Sequence, residues 1–409
     1  MSRTRDIATI LSKTDAANAD NHALLNTSSG VDSAEVITLI TANSSNLDSA
    51  DMQTISSQVS GNRNLVINGA MNVAQRGTSL TGQGATSIFL LDRFRMNTNG
   101  ASAGRYTITQ TADGPSGFAN CLKLECTTAD TSIAAGERLF LEHPFEGQNL
   151  QKIAKGTSDA QSLTVSFYVK GNAAATYVAG LYDNDNNRQV SKQFAVTSSW
   201  NRITLTFPAD TTGALGDDNA LSMQLRFYLH AGSNYTSGTI SETWIAADGT
   251  KTVGSGTTSF FDSTSRTFFI TGIQLETGDV ATPFEHEDYV ITLNKCLRYF
   301  YRLRKTNAWG EFCTIRTYSA DDGTGIIYFP QPMRAQPTLT IDKTVNSTNF
   351  AYDLNSISVA ASDVNVTQIG IAAASSNGSA FVTSGGATIQ TNGGSGAIDC
   401  SFNFTAELG

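Results

Sequence analysis

The sequence predicts a mainly β protein: short helices forming an N-terminal stalk, then a jelly-roll-type antiparallel β-sandwich, then a second, smaller β-sandwich domain. Three observations carry this. Apolar and polar residues alternate with period two in about ten runs separated by turn residues. Only 15 % of the 409 residues are charged, while Ser, Thr, Asn and Gly are abundant, which suits sheets with many turns and a polar surface. Helical spacing is confined to the first 62 residues and to a short stretch after 288. A chain of this length exceeds what one core usually serves, so several folded units are expected.

Residues 1–62 contain no aromatic residue and make no core alone. Two segments recur there, Val31-Asp32-Ser33-Ala34-Glu35-Val36 and Leu47-Asp48-Ser49-Ala50-Asp51-Met52. Asp32 and Asp48 are placed to act as helix N-caps, with Glu35 and Asp51 placed to reach back. Val36, Leu39 and Ile40 follow one cap, and Met52, Ile55 and Val59 follow the other, at helical spacing. Helices this short need neighbours, supplied by symmetry mates or by another component of an assembly.

From Arg63 the pattern turns to strands. Asn68-Gly69 is a turn dipeptide between Leu65-Val66-Ile67 and Met71-Asn72-Val73. Leu163, Val165, Phe167 and Val169 alternate with polar residues; so do Ile203, Leu205 and Phe207, and Met223, Leu225, Phe227 and Leu229. Each strand has one buried and one solvated face, as an antiparallel sandwich requires. The run Phe268–Leu275 reads as a buried strand and ends in Gly278-Asp279 and Thr282-Pro283, which close this unit. Val290, Leu293, Leu297 and Phe300 then give a short helical face. Beyond it, Gly325–Phe329 is a strand stopped by Pro330, Thr338–Ile341 follows Pro337, and Ile398, Cys400, Phe402 and Phe404 alternate with Asp399, Ser401, Asn403 and Thr405. The units are thus 1–62, 63–286 and 287–409.

The formal charge of −9 comes without a basic face, which disfavours nucleic acid as a partner. No apolar run approaches membrane-helix length, and Lys13 and Asp15 interrupt the first apolar segment, so neither membrane insertion nor signal-led export is expected. The five cysteines form no CxxC pair, and Cys121 and Cys126 point to opposite faces of one strand, so buried free thiols are expected. The four histidines lie far apart, and no nucleophile motif or phosphate loop occurs. No cofactor and no enzymatic activity are expected. One metal candidate remains, Asp183, Asp185 and Asn187, with oxygen side chains at alternate positions as in a calcium loop, although Arg188 stands where such a loop needs glycine. Glu276 with Asp279, and Glu285 with Glu287 and Asp288, are the carboxylate groupings that a glycosidase would need. Trp244, Tyr235 and Trp309 are the aromatic residues placed to serve as a sugar platform.

The strings Ile273-Gln274-Leu275-Glu276-Thr277-Gly278, Ala281-Thr282-Pro283-Phe284-Glu285 and Cys296-Leu297-Arg298-Tyr299-Phe300-Tyr301 together resemble the junction of many tail fibre proteins of tailed, podovirus-type bacteriophages. Asn64-Leu65-Val66-Ile67-Asn68-Gly69 and Gln75-Arg76-Gly77-Thr78-Ser79 are similar to the opening of the same domain, and Asp92-Arg93-Phe94, Leu163–Gly171 and Trp200–Phe207 to its interior. The resemblance implies a sandwich like that of carbohydrate-binding modules. It also implies a virion structural protein made in the host cytoplasm, a homotrimer whose residues 1–62 attach to other phage tail or particle proteins. The β-domains would meet a host cell-surface glycan or protein. Two other roles stay open: a head fibre, adaptor or nozzle brace without a receptor, and a polysaccharide-degrading tailspike.

Overall fold

The computed structural model describes residues 62–100, 102–306, 311–317, 322–344, 351–352, 355–365, 367–375, 386–390 and 399–408; the expected N-terminal helices lie outside the described residues. Among the described residues the chain is mainly β and its pairings are antiparallel. The strands before residue 280 are β1 (Ser79–Gln83), β2 (Ile88–Phe89), β3 (Arg95–Asn99), β4 (Arg105–Thr111), β5 (Cys121–Thr128), β6 (Arg138–Glu146), β7 (Leu163–Gly171), β8 (Ala175–Asp183), β9 (Arg188–Val196), β10 (Asn201–Phe207), β11 (Leu221–Ala231), β12 (Ile245–Ala246) and β13 (Thr267–Thr277). They form two sheets, β1-β4-β5-β13-β7-β10 and β12-β9-β8-β11-β6-β3-β2.

The alternation explains how these sheets face each other. Val165, Phe167 and Val169 of β7 and Leu225, Phe227 and Leu229 of β11 all join one core at 0 % exposure, and Phe167 meets Phe227 edge to face at 4.9 Å. Burying such rings supplies roughly 2 kcal/mol each before cavity terms, so period two dictates which face turns inward.

The segment 63–78 differs from the sequence reading, since the first strand begins only at Ser79. The expected turn at Asn68-Gly69 does form, but it is a polar hub. Asn68, 4 % exposed with φ 62°, donates to the Val73 and Asp92 carbonyls and accepts from the Asn72 and Val73 amides. A Cβ on Gly69 would lie 2.0 Å from the Ile273 carbonyl oxygen, so only glycine fits that crossing.

After the helix Tyr289–Leu297 come β14 (Phe300–Lys305), β15 (Glu311–Thr317), β16 (Asp322–Tyr328), β17 (Thr338–Thr344), β18 (Ala351–Tyr352), β19 (Asn355–Val364), β20 (Gln368–Ser375), β21 (Gly386–Gln390) and β22 (Asp399–Thr405). They form sheets β14-β22-β17 and β18-β19-β20-β16-β15-β21. Phe312, Ile315, Ile327, Phe329, Phe402 and Phe404 make a second, smaller core.

Two sequence readings need correction here. The helix turns Thr292, Cys296 and Leu297 inward and leaves Tyr289, Val290 and Ile291 55 %, 63 % and 48 % exposed. The residues just past its C-terminal end set its rotation. The Arg93 guanidinium stacks 3.5 Å from the centre of the Tyr299 ring, and Arg298 grips Glu146 at 2.7 and 2.8 Å. In β22, Ser401 and Asn403 are buried along with Cys400, Phe402 and Phe404. The supposed solvent face is occupied: Arg302 donates to Ser401, and Asn403 donates to Asp342.

Candidate functional site

The stretches 62–64 and 273–285 meet in space. The Asn64 side chain fills the irregular stretch of β13, donating to the Ile273 carbonyl at 3.2 Å and accepting the Leu275 amide at 3.1 Å. The Glu285 carboxylate accepts the Asn62 and Asn64 amides at 2.9 and 2.8 Å. Between these stitches the loop 278–285 folds back over the outer face of β13. Buried Gln274 and Glu276 hold it there: Glu276 accepts the Thr282 amide and hydroxyl, and Gln274 accepts the Glu285 amide. With its oxygens taken by the Thr282 amide and hydroxyl and the Gln274 side-chain amide, Glu276 is a structural anchor.

The stitch frames a cleft of about 370 Å³. Its walls include Asn64, Asn72, Phe284, His286, Asp288 and Lys295, with Ile291 at the rim. Phe118, Phe284 and His286 form a ring cluster with centroids 4.9 to 5.1 Å apart, and of these His286 is exposed. An aromatic wall facing amide, carboxylate and ammonium groups is the combination that grips a hydroxyl-rich ring: apolar sugar faces stack, and hydroxyls bond to the polar side. Glu287 is committed at this end, accepting from Thr292 and pairing with Lys295, which also reaches Asn62. Lys152 closes the side near Asn62, donating to the Asn62 and Arg63 carbonyls. Burial pulls its pKa down, against the raising pull of Glu285 and Glu276.

The residues singled out by sequence lie elsewhere. Asp183, Asp185 and Asn187 surround the β8–β9 turn but do not converge. Asp183 pairs with Lys155 at 2.6 Å and accepts from Asn186, Asp185 accepts the Gly216 amide, and Asn187 accepts the Tyr182 hydroxyl. Lys155 also pairs with Asp210 at 3.0 Å, and Asp210 binds Arg188. The positive charge beside Asp183 is therefore a lysine. Among the described residues no three His, Cys, Asp or Glu side chains gather as metal ligands.

Trp244 is half-buried against the main core, its Nε1 donating to the Pro208 carbonyl at 2.9 Å. Tyr235 packs on Phe140, Val178, Tyr228 and Val253 with Arg138 over its ring at 4.8 Å. Trp309 lies outside the described residues. Of the carboxylates considered for sugar cleavage, Glu276, Glu285 and Glu287 are committed to the contacts already described. The ring cluster at Phe118 was missed because its members are far apart in sequence; the signal was Phe284 inside the motif.

No protein-family model matches this sequence, and no curated protein matches it. Among solved structures, a CBM4 protein shares 12 % identity at a TM-score of 0.27, covering 52 % of this chain and 99 % of that one. A family 11 carbohydrate-binding module from Clostridium thermocellum, in complex with a β-1,3-1,4-mixed-linked tetrasaccharide, gives 11 % and 0.26, covering 50 % and 98 %. The enzymatically active domain of tailspike protein 4 of bacteriophage CBA120 gives 12 % and 0.28, covering 54 % of this chain and 22 % of that one. At this level of likeness no residue role transfers.

Proposed function

We propose that this chain is a subunit of a bacteriophage fibre, joined to the particle through residues 1–62, that recognises a host-surface glycan in the cleft between Asn64–Asn72 and Phe284–Lys295. The observation that carries the reading is the stitch itself. The strings resembling the opening and the junction of the fibre domain, with Asn64 and Glu285 221 positions apart, close on one another and frame the aromatic cleft. Three copies on a common axis would multiply a weak sugar contact into firm attachment.

The test is binding of the full chain to intact host cells, with and without surface polysaccharide, beside the double variant His286→Ala/Asp288→Ala. Both positions are exposed, so folding is retained. The expected result is saturable, polysaccharide-dependent binding that falls at least about tenfold in the variant, the loss of one or two good contacts. Equal binding by the variant moves the site off this cleft.

A second reading is favoured by Tyr289, Val290 and Ile291, three consecutive exposed apolar residues on the same rim. Such a patch suits contact with another protein of the particle, the bracing role. In that case the isolated, oligomeric chain fails to bind cells, and Val290→Asp/Ile291→Asp blocks its incorporation into particles.

A further inference from the structure

A second cavity in the first sandwich shares no lining residue with the first and contains chemistry that glycan binding does not use. His230 stands near the end of β11. Its Nδ1 lies 2.8 Å from the Ser259 hydroxyl and its Nε2 3.3 Å from the Glu137 carboxylate. Glu137 and the imidazole are buried, while Ser259 is half-buried. Ser259 lines a cleft of about 340 Å³ together with Ile133, Ala231, Thr236, Gly256 and Thr258.

The segment bearing Ser259 is rigidly held. The Thr258 amide donates to the Thr176 carbonyl and the Phe260 amide to the Leu229 carbonyl, both at 2.8 Å. The Phe261 amide donates to the Ser259 hydroxyl oxygen at 3.0 Å, and the Phe261 ring stands edge-on to the imidazole at 5.1 Å. In the tautomer that donates Nε2–H to Glu137, Nδ1 presents its lone pair to the Ser259 O–H. Burial draws the His230 pKa below its ordinary value, against the raising pull of Glu137 and Asp130, which keeps the ring neutral and able to accept a proton. Nucleophile, base and orienting carboxylate thus stand in hydrogen-bonded sequence at the wall of a cavity, the arrangement of activated serines on unrelated folds.

We propose that Ser259, His230 and Glu137 form a relay that hydrolyses small, neutral acyl esters in this cleft. Ser259 Oγ attacks the ester carbonyl carbon while its proton passes to His230 Nδ1. The carbon–oxygen bond to the alcohol breaks, and Nδ1 returns the proton to the departing oxygen. Water then attacks the acyl-serine, again giving a proton to Nδ1; the bond from the acyl carbon to Oγ breaks, Nδ1 returns the proton to Oγ, and the carboxylic acid leaves with Ser259 and the neutral imidazole restored. Glu137 is a positioning residue that holds the tautomer and steadies the imidazolium. The substrate class rests on the lining: threonine and serine hydroxyls, Ala231 and Ile133 face the cavity without a charged side chain, and its volume is at the small end of ligand pockets. A short acyl group on a neutral alcohol fits, as in an acetylated sugar. This site does not depend on the fibre reading.

The experiment uses the full chain with p-nitrophenyl acetate as substrate and a fluorophosphonate as covalent probe. The expected result is multiple-turnover release of p-nitrophenolate and a single modification that peptide mapping places on Ser259. Ser259→Ala should lower kcat/KM by about a thousandfold. Glu137→Gln should lower kcat with KM unchanged, a split that a merely structural role would not produce. An unmodified wild-type chain after excess probe, or modification elsewhere, overturns the proposal, as does Ser259→Ala retaining the wild-type rate. Should Ser259→Ala misfold, the mapped wild-type site decides alone.

Discussion

The two β regions are built on the same alternation but keep their polar groups in different ways. In the sandwich of β1–β13, polar residues on the outer faces are covered by the unit's own loops: Gln274 and Glu276 under 278–285, Gln189 under Asp248–Thr252, and Asp210 against Lys155 and Arg188. In the unit of β14–β22, key polar groups are answered from across the junction. Arg302 donates to the Gln75 and Arg76 carbonyls, Arg334 and Asn219 exchange bonds at 2.8 and 2.6 Å, and Glu407 takes both Arg76 and Arg93. The first region covers these outer-face groups itself and turns to the second only at the junction, where Arg93 meets Glu407 and Glu146 meets Arg298 and Tyr299. A buried group needs its partner whichever chain segment supplies it, so foldability here is decided by polar satisfaction as much as by core size.

The largest expected effect comes from separating the regions. A chain of residues 63–286 should melt cooperatively, because its core and its loops are internal. A chain of residues 287–409 should lack a cooperative transition, since the polar groups of β14 and the 406–408 segment lose their partners, each unpaired group costing about 1–3 kcal/mol. Near-ultraviolet circular dichroism on both fragments checks this. A cooperative melt of the second fragment alone would mean that its smaller core suffices.

How far the sequence reached obeys the same division. Period-two runs such as Leu163–Val169 and Met223–Leu229 named the residues that face the core, because alternation is local, but the expected solvated face is largely covered, with Thr164, Ser166, Gln224 and Tyr228 buried too. The partners of Asn68, Asn64 and Glu407 were not legible, since they lie in other elements and hydrogen bonding leaves no period in a sequence. The junction helix was misread for a related reason. Its apolar spacing was real, but Arg298 and Tyr299, just beyond its end, fix the rotation by gripping Glu146 and Arg93. The Asp183–Asn187 turn had the oxygen atoms of an ion loop, yet nothing local revealed that Lys155 pairs with Asp183. The relay at Ser259 was equally hidden, its members drawn from positions 137, 230 and 259.

A smaller effect is expected from one side chain at the junction. Glu407→Ala leaves the guanidinium of Arg93, 0 % exposed, without its carboxylate, and breaking a buried pair on one side costs about 3–5 kcal/mol. Denaturant titration should show the loss in the second region first, with β1–β13 unfolding at its original midpoint. A single transition shifted as a whole would instead mean that the two regions unfold as one, and the contrast between them would fall.

The smallest effect is graded and depends on acid. Within the first sandwich, burial and then the nearby Arg93 charge hold the His143 pKa well below its ordinary 6.5, and its Nε2 accepts the Ile67 amide at 3.1 Å. The unfolded chain therefore binds a proton that the folded chain refuses, and stability falls as pH drops below about 6.5. His230 is shifted the same way by burial and adds to this leg. At the junction burial would raise Glu146, but hydrogen bonds from Arg298 and Tyr299 outweigh it and hold the carboxyl below its ordinary 4.5. Its contribution is present above that value and is lost only as pH falls through the lower folded one. Melting temperature against pH should thus decline in two stages, the first from the sandwich histidines and the second from carboxyls held low, Glu146 at the junction together with Asp130, bonded by Ser102, and Asp210, whose burial is outweighed by bonds from Arg188 and Lys155. His143→Gln should shallow the first stage without removing it, because His230 remains, and Glu146→Gln should likewise shallow the second, because Asp130 and Asp210 remain. If Glu146→Gln altered only the upper stage, the junction would not be the acid-sensitive seam that separates one region from the other.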